Sequence, residues 1–138
     1  MRLAIGYWLF EKKKEMYEFE KLEIWQLSLE LIETVNKIGK CIPYSDPFGL
    51  RGQICRAALS IGLNIAEGKG SGSDKEFKRF LLMALRSIYE VVAALKVAVR
   101  LKYLKEDEIK HVLALCDKLG AKTNKFISTV RNRIANSE

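Results

Sequence analysis

From Gln53 to Gly68 the chain reads Gln-Ile-Cys-Arg-Ala-Ala-Leu-Ser-Ile-Gly-Leu-Asn-Ile-Ala-Glu-Gly, and this stretch confines the fold more than any other. Apolar Leu50, Ile54, Ala57, Ile61 and Ile65 recur at helical spacing. Between them a polar line, Gln53, Arg56, Ser60, Asn64 and Glu67, repeats with the same period. Ala57, Ala58, Ser60, Gly62 and Ala66 are small enough to let a neighbouring helix come close. A helix with one apolar stripe and one hydrogen-bonding stripe is built to be packed on more than one side. The five polar residues are therefore expected to form a structural seam inside a helical bundle. A catalytic use is disfavoured, because no histidine, cysteine pair or Gly-rich phosphate loop stands near them.

The flanking patterns complete an all-α reading. Helix one is expected from about Phe19 to Cys41, stopping before Pro43. It carries two apolar faces: Leu22, Trp25, Leu29 and Ile32 on one, and Ile24, Leu27, Leu31, Val35 and Ile38 on the other. A surface helix of a monomer usually shows one stripe, so the second face suggests contact with another subunit. Asp46 and Pro47 read as the cap and first position of helix two, and Gly68 as its end. Gly68 to Ser73 lacks the glycine-lysine-hydroxyl ending of a phosphate loop and follows a helix rather than a strand.

Helix three is expected from about Asp74 to Lys102, with Ser73 and Glu76 as a capping box. Its core stripe is Phe77, Leu81, Ala84, Ile88, Val91, Leu95 and Ala98. Helix four is expected from about Glu106 to Ile134, with Ile109, Val112, Leu113, Cys116, Thr123, Ile127, Val130 and Ile134 facing inward. Short connections between long helices imply an up-down-up-down antiparallel four-helix bundle over residues 19–138. Residues 1–18 read as an N-terminal arm or as translation from too early a start, with Met16 as an alternative.

The charge is lopsided. Residues 1–68 hold nine Lys/Arg and nine Asp/Glu, and residues 69–138 hold fifteen and eight, so the surplus of +7 lies wholly in the second half. On a helical wheel Lys75, Lys78, Arg79, Arg86, Lys96 and Arg100 fall within roughly 100°, opposite the core stripe, over ~37 Å. Lys118, Lys122 and Lys125, with His111 and Arg133, face away from the core of helix four. Like charges at neighbouring helical positions repel by a few tenths of a kcal/mol per pair, which a phosphate-rich partner would relieve. With no base-reading motif, recognition by shape and backbone is expected. The competing readings are a solvated face and a scaffold whose basic face meets an acidic protein.

Other classes are poorly supported. Cys41, Cys55 and Cys116 have no paired-ligand spacing and read as buried thiols in a reducing cytoplasm. With His111 as the single histidine, neither a metal site nor a cofactor is expected, and the chain reads as a non-enzyme. No stretch approaches the ~20 apolar residues of a membrane span.

Three segments carry a family resemblance. They are Phe19-Glu20-Lys21-Leu22-Glu23-Ile24-Trp25-Gln26, then Gln53, Arg56-Ala57-Ala58, Ser60-Ile61 and Asn64-Ile65-Ala66-Glu67-Gly68, and finally Lys75-Glu76-Phe77, Phe80-Leu81, Ala84, Ser87 and Glu90. Over about residues 19 to 130 the chain resembles the four-helix-bundle proteins encoded in intervening sequences of bacterial 23S ribosomal RNA genes. Their ribosomal name follows genomic position. The resemblance implies a ring or barrel-like homo-oligomer, a pentamer. It also implies kinship with the accessory proteins of diversity-generating retroelements, which bind nucleic acid and a reverse transcriptase. Two positions depart from the family pattern. Ser71-Gly72 stands where an arginine often follows the Asn-Ile-Ala-Glu-Gly turn, and Arg86 stands where a small residue usually precedes Ser87.

Overall fold

The computed structural model describes residues 16–137, so the expected arm over residues 1–18 lies almost entirely outside the described residues. A 3-10 turn at Glu18–Lys21 precedes four helices: α1 (Glu23–Gly39), α2 (Leu50–Gly70), α3 (Asp74–Arg100) and α4 (Glu106–Ser137). Among the described residues there is no strand. α1 packs on α2 and α4, and α3 packs on the same two helices. Helices adjacent in sequence are thus adjacent in space, and the last returns to the first. The direction of α4 is marked by Arg133 near its end, whose Nη2 lies 3.0 Å from Oδ1 of Asp74 at the start of α3.

The interior follows from the apolar periodicity. Leu31, Val35, Ile54, Ile61, Ile65, Leu81, Val91, Leu95 and Leu119 are completely buried. Every residue of the expected α3 stripe is buried. On α4 the core is shifted. Leu115 and Leu119 are buried, whereas Leu113 and Ile134 are only half-buried. Leu115, Leu119, Lys122 and Phe126 follow one another at helical spacing, and the last two line a groove with Glu23 and Ile24 of α1. Packing on α1 as well as α3 widens the buried stripe toward that flank.

Several boundaries move for local reasons. α1 ends at Gly39 rather than Cys41. Arg51 secures the chain beyond it, donating from Nε to the Ile42 carbonyl at 2.7 Å and from Nη2 to the Lys40 carbonyl at 2.8 Å. α2 starts at Leu50 rather than Pro47, after Gly49 in a left-handed conformation with φ 63°. Asp46 still caps it from a distance: Oδ2 accepts the Leu50 N–H at 2.8 Å, and Oδ1 accepts the Tyr103 hydroxyl at 2.9 Å. That carboxylate ties the α1–α2 loop to the α3–α4 loop.

α2 continues through Gly68 to Gly70. Gly68 therefore serves contact between helices, not termination. A Cβ there would lie 2.7 Å from Phe80 Cβ and 3.0 Å from Phe77 Cδ1. At the start of α3 only half of the expected capping box forms. Ser73 Oγ accepts the Glu76 N–H at 3.3 Å, while the Glu76 carboxylate turns to Arg79. α3 stops without a glycine. Tyr103 N–H reaches the Ala98 carbonyl and Lys102 N–H the Val99 carbonyl, both at 2.9 Å, with Lys102 at φ 66°.

These two positions give opposite expectations in urea unfolding. Gly68→Ala should lower stability by about 1–3 kcal/mol through overpacking against Phe80. Lys102→Gly should raise it by about 1 kcal/mol by relieving a left-handed side chain. A neutral Gly68→Ala would contradict the close approach of α2 to α3.

Candidate nucleic-acid interface

Because α3 buries its stripe completely, the opposite side must meet solvent. Lys75, Arg79, Arg86, Lys96 and Arg100 are exposed there, and Lys78 is half-buried. Their electrostatic settings differ. Arg79 Nη2 lies 2.8 Å from Glu76 Oε2, and its guanidinium sits 4.6 Å from the Phe80 ring centre. The hydrogen bond from Arg79 holds the Glu76 carboxyl below its ordinary range and pushes the guanidinium above its own. Among the described residues, Arg86, Lys96 and Arg100 form no ion pair.

Lys96 and Arg100 line a groove between α3 and α4 together with Val99, Glu106, Ile109, Lys110 and Leu113. Lys110 was not evident from the sequence as a member of this group. It stands beside Glu106, Asp107 and Glu108 in the chain, and only the packing of α4 on α3 sets it next to Lys96 and Arg100.

The cations of α4 lie elsewhere. Lys122 pairs with Glu23 of α1 at 3.2 Å. Lys122, Lys125 and Arg133 line a groove between α1 and α4, with Glu23, Ile24, Phe126 and Thr129. Lys118 and His111 are exposed. The nine lysines and arginines singled out on the two helices therefore divide. Six follow the outer side of α3, Lys122 and Lys125 border α1, where a carboxylate already answers part of their charge, and Lys118 stands exposed on α4 apart from that groove.

The polar line of α2 also divides. Ser60 and Asn64 turn toward α3: the hydroxyls of Ser60 and Ser87 hydrogen bond at 3.0 Å. Asn64 Nδ2 donates to the Ser60 carbonyl at 2.8 Å and to Ser60 Oγ at 3.0 Å. Gln53, Arg56 and Glu67 are exposed. Beside them the outer surface of α1 and α2 is apolar, with Leu29 41%, Leu59 47% and Leu63 49% exposed. Leu29, Ile32, Cys55 and Leu59 line a groove along it together with polar Glu33 and Asn36.

Among the described residues, no group of three or more His, Cys, Asp or Glu could hold a metal, and no helix is long and apolar enough to cross a membrane. The three cysteines are free and differ in setting. Cys116 alone is buried, Cys55 is half-buried and Cys41 is exposed, because the early end of α1 leaves Cys41 in the loop. Burial, with a smaller contribution from Asp117, pushes the Cys116 thiol up to about 12.

A sequence model described as 23S rRNA-intervening sequence protein matches residues 20–125. The fold is similar to that of a protein of unknown function from the S23 ribosomal protein family of Bacteroides thetaiotaomicron. Its crystal structure aligns with a TM-score of 0.69 at 23% identity, over 75% of this chain and 97% of that one. At that identity the likeness concerns the fold alone. No curated protein matches the chain.

The thiol settings can be checked with a disulfide reagent at pH 8. Cys41 should react at once in the folded protein, and Cys116 only after denaturation, since its burial leaves almost no thiolate. Prompt labelling of Cys116, located by peptide mass, would show that the α4 core opens.

Proposed function

The chain belongs to the 23S rRNA-intervening sequence protein family, and from that footing we propose that it is a non-enzymatic homo-oligomer that binds RNA or DNA through the outer side of α3. One observation carries the reading: Arg86, Lys96 and Arg100 are exposed, lie on one side of α3, and form no ion pair among the described residues. Three such cations raise the local positive potential, and a row of phosphates relieves it while releasing bound counterions. Lys110 widens the site into the α3–α4 groove. Lys75, Lys78 and Arg79 extend it toward the start of the helix. Lys118, Lys122 and Lys125 form a secondary edge.

The role that fits is accessory: holding a structured nucleic acid, or bringing it to a polymerase such as a reverse transcriptase, in the cytoplasm. Assembly would use a smaller surface than the two apolar faces of α1 suggest, because Leu22, Trp25 and Ile32 pack within the bundle and only Leu29 of that face is exposed. Leu29, Leu59 and Leu63 offer an apolar surface on the side of the bundle formed by α1 and α2, which a ring of copies, a pentamer in the family pattern, would cover. A protein-binding scaffold is the second reading. It is favoured by Tyr89 and Val97, which are exposed among the α3 cations and would suit a protein partner.

Binding to a structured RNA across salt concentrations tests the first reading. Affinity should fall linearly on logarithmic axes. Arg86→Glu with Arg100→Glu should flatten the slope by about 2 and weaken binding at least tenfold. A flat salt response, or no loss in the double variant, would reject it. A protein partner retained after nuclease digestion would favour the scaffold. Assembly has its own test: Leu59→Asp with Leu63→Asp should convert the oligomer to folded monomer in sedimentation, and an unchanged mass would place the interface elsewhere.

A further inference from the structure

The loop between α1 and α2 exposes two aromatic rings, Tyr44 at 88% and Phe48 at 70%. Tyr44 is not a loose side chain. The Arg51 guanidinium lies 3.7 Å from its ring centre, and Arg51 is itself held by the carbonyls of Lys40 and Ile42. One face of the ring is thus backed by a fixed cation, and the high exposure leaves the other open. Beside the ring runs a groove whose walls include Tyr44, Gly49, Arg51, Gly52 and Arg56. Gly52 makes room in it for the Arg56 side chain. Arg56 is folded over Gly52, where a Cβ would meet its Nη1 at 2.8 Å. Among the described residues Arg56 has no ion pair.

An aromatic face supported by a guanidinium, next to a second, unpaired guanidinium, matches the two halves of a nucleotide. We infer that this groove is a stacking site for one unpaired nucleotide: the base lies on the open face of Tyr44 and the adjoining phosphate meets Arg56. The inference rests on the nucleic-acid reading above and narrows it to single-stranded or looped segments at this end of the bundle. Base–aromatic stacking is tolerant of sequence, because every base has a π-face, and the Arg51 cation behind the ring adds to the attraction for an electron-rich base. Phosphates alone and bases stacked within a duplex do not satisfy the ring, whereas the α3 cations need no free base. The two sites are therefore separable by ligand.

The experiment uses the full chain and a labelled mixed-sequence single-stranded RNA of about 12 nucleotides, its abasic counterpart, and a duplex of the same length. Tyr44→Ala should weaken binding to the single strand about 5- to 100-fold. It should leave the abasic strand and the duplex unchanged, and Tyr44→Phe should retain full affinity. Arg56→Gln should weaken both single strands and reduce the salt slope by about 1. Equal affinity of wild type and Tyr44→Ala for the base-containing strand would overturn the site while leaving α3 binding intact. Equal loss on all three ligands, or a change of oligomeric mass in Tyr44→Ala, would mark the ring as part of a contact between copies and also overturn it. If the wild-type protein binds none of the three, both this inference and the reading it rests on fail.

Discussion

The bundle depends on how closely α2 can approach its neighbours. At Gly68 a single methyl would collide with Phe80 and Phe77 of α3. At Gly62 it would crowd Ser28, Ile32 and Trp25 of α1, with 3.1 Å to Ser28 Oγ. α2 thus presents a bare backbone to both flanking helices, and the large side chains of α1 and α3 fill the space. Dispersion falls steeply with separation, so these contacts count only while the helices stay near. The Ser60–Ser87 pair and Asn64 lie on the α3 side of the same helix, giving hydrogen bonds that a purely apolar contact would lack.

That packing decides where the charge can go. A stripe buried without interruption leaves the opposite arc of α3 no choice but solvent, and six cations occupy it. α4 packs over a broader sector, so part of its basic side is drawn toward α1 and meets Glu23. Equal formal charge therefore has unequal value. A paired, half-buried lysine gives up less to a new anion than an exposed, unpaired arginine, since the existing partner must first be displaced. The α3 side therefore offers an incoming anion more unanswered charge, although both helices are basic.

The loop end has a different construction. Asp46 accepts from a helix N–H and from Tyr103, and burial keeps it shielded from water. Its hydrogen bond, followed by desolvation, pushes the Tyr103 hydroxyl above its ordinary range, so the donor remains protonated. Arg51 does the equivalent work for the end of α1. Two loops without regular structure are thereby given fixed shapes, and fixed loops can present side chains such as Tyr44 and Phe48 in reproducible positions.

Most of the architecture was legible in the chain. Periodicity marked four helices and the whole buried stripe of α3, because that helix shows one face inward along its full length. Residues 53–68 announced close packing through their small side chains. What periodicity could not supply was context. Gly68 reads as a helix end in sequence, yet it lies within α2 because Phe80 needs its surface. Glu76 reads as half of a capping box, yet Arg79 claims its carboxylate. Leu115, Leu119 and Lys110 gain their roles from which neighbour α4 touches. A one-dimensional pattern specifies which side of a helix avoids water. Which residues of different helices meet is set by packing distance and crossing, and so only the folded chain divided the basic residues into separate groups and placed Tyr44 beside Arg51 and Arg56.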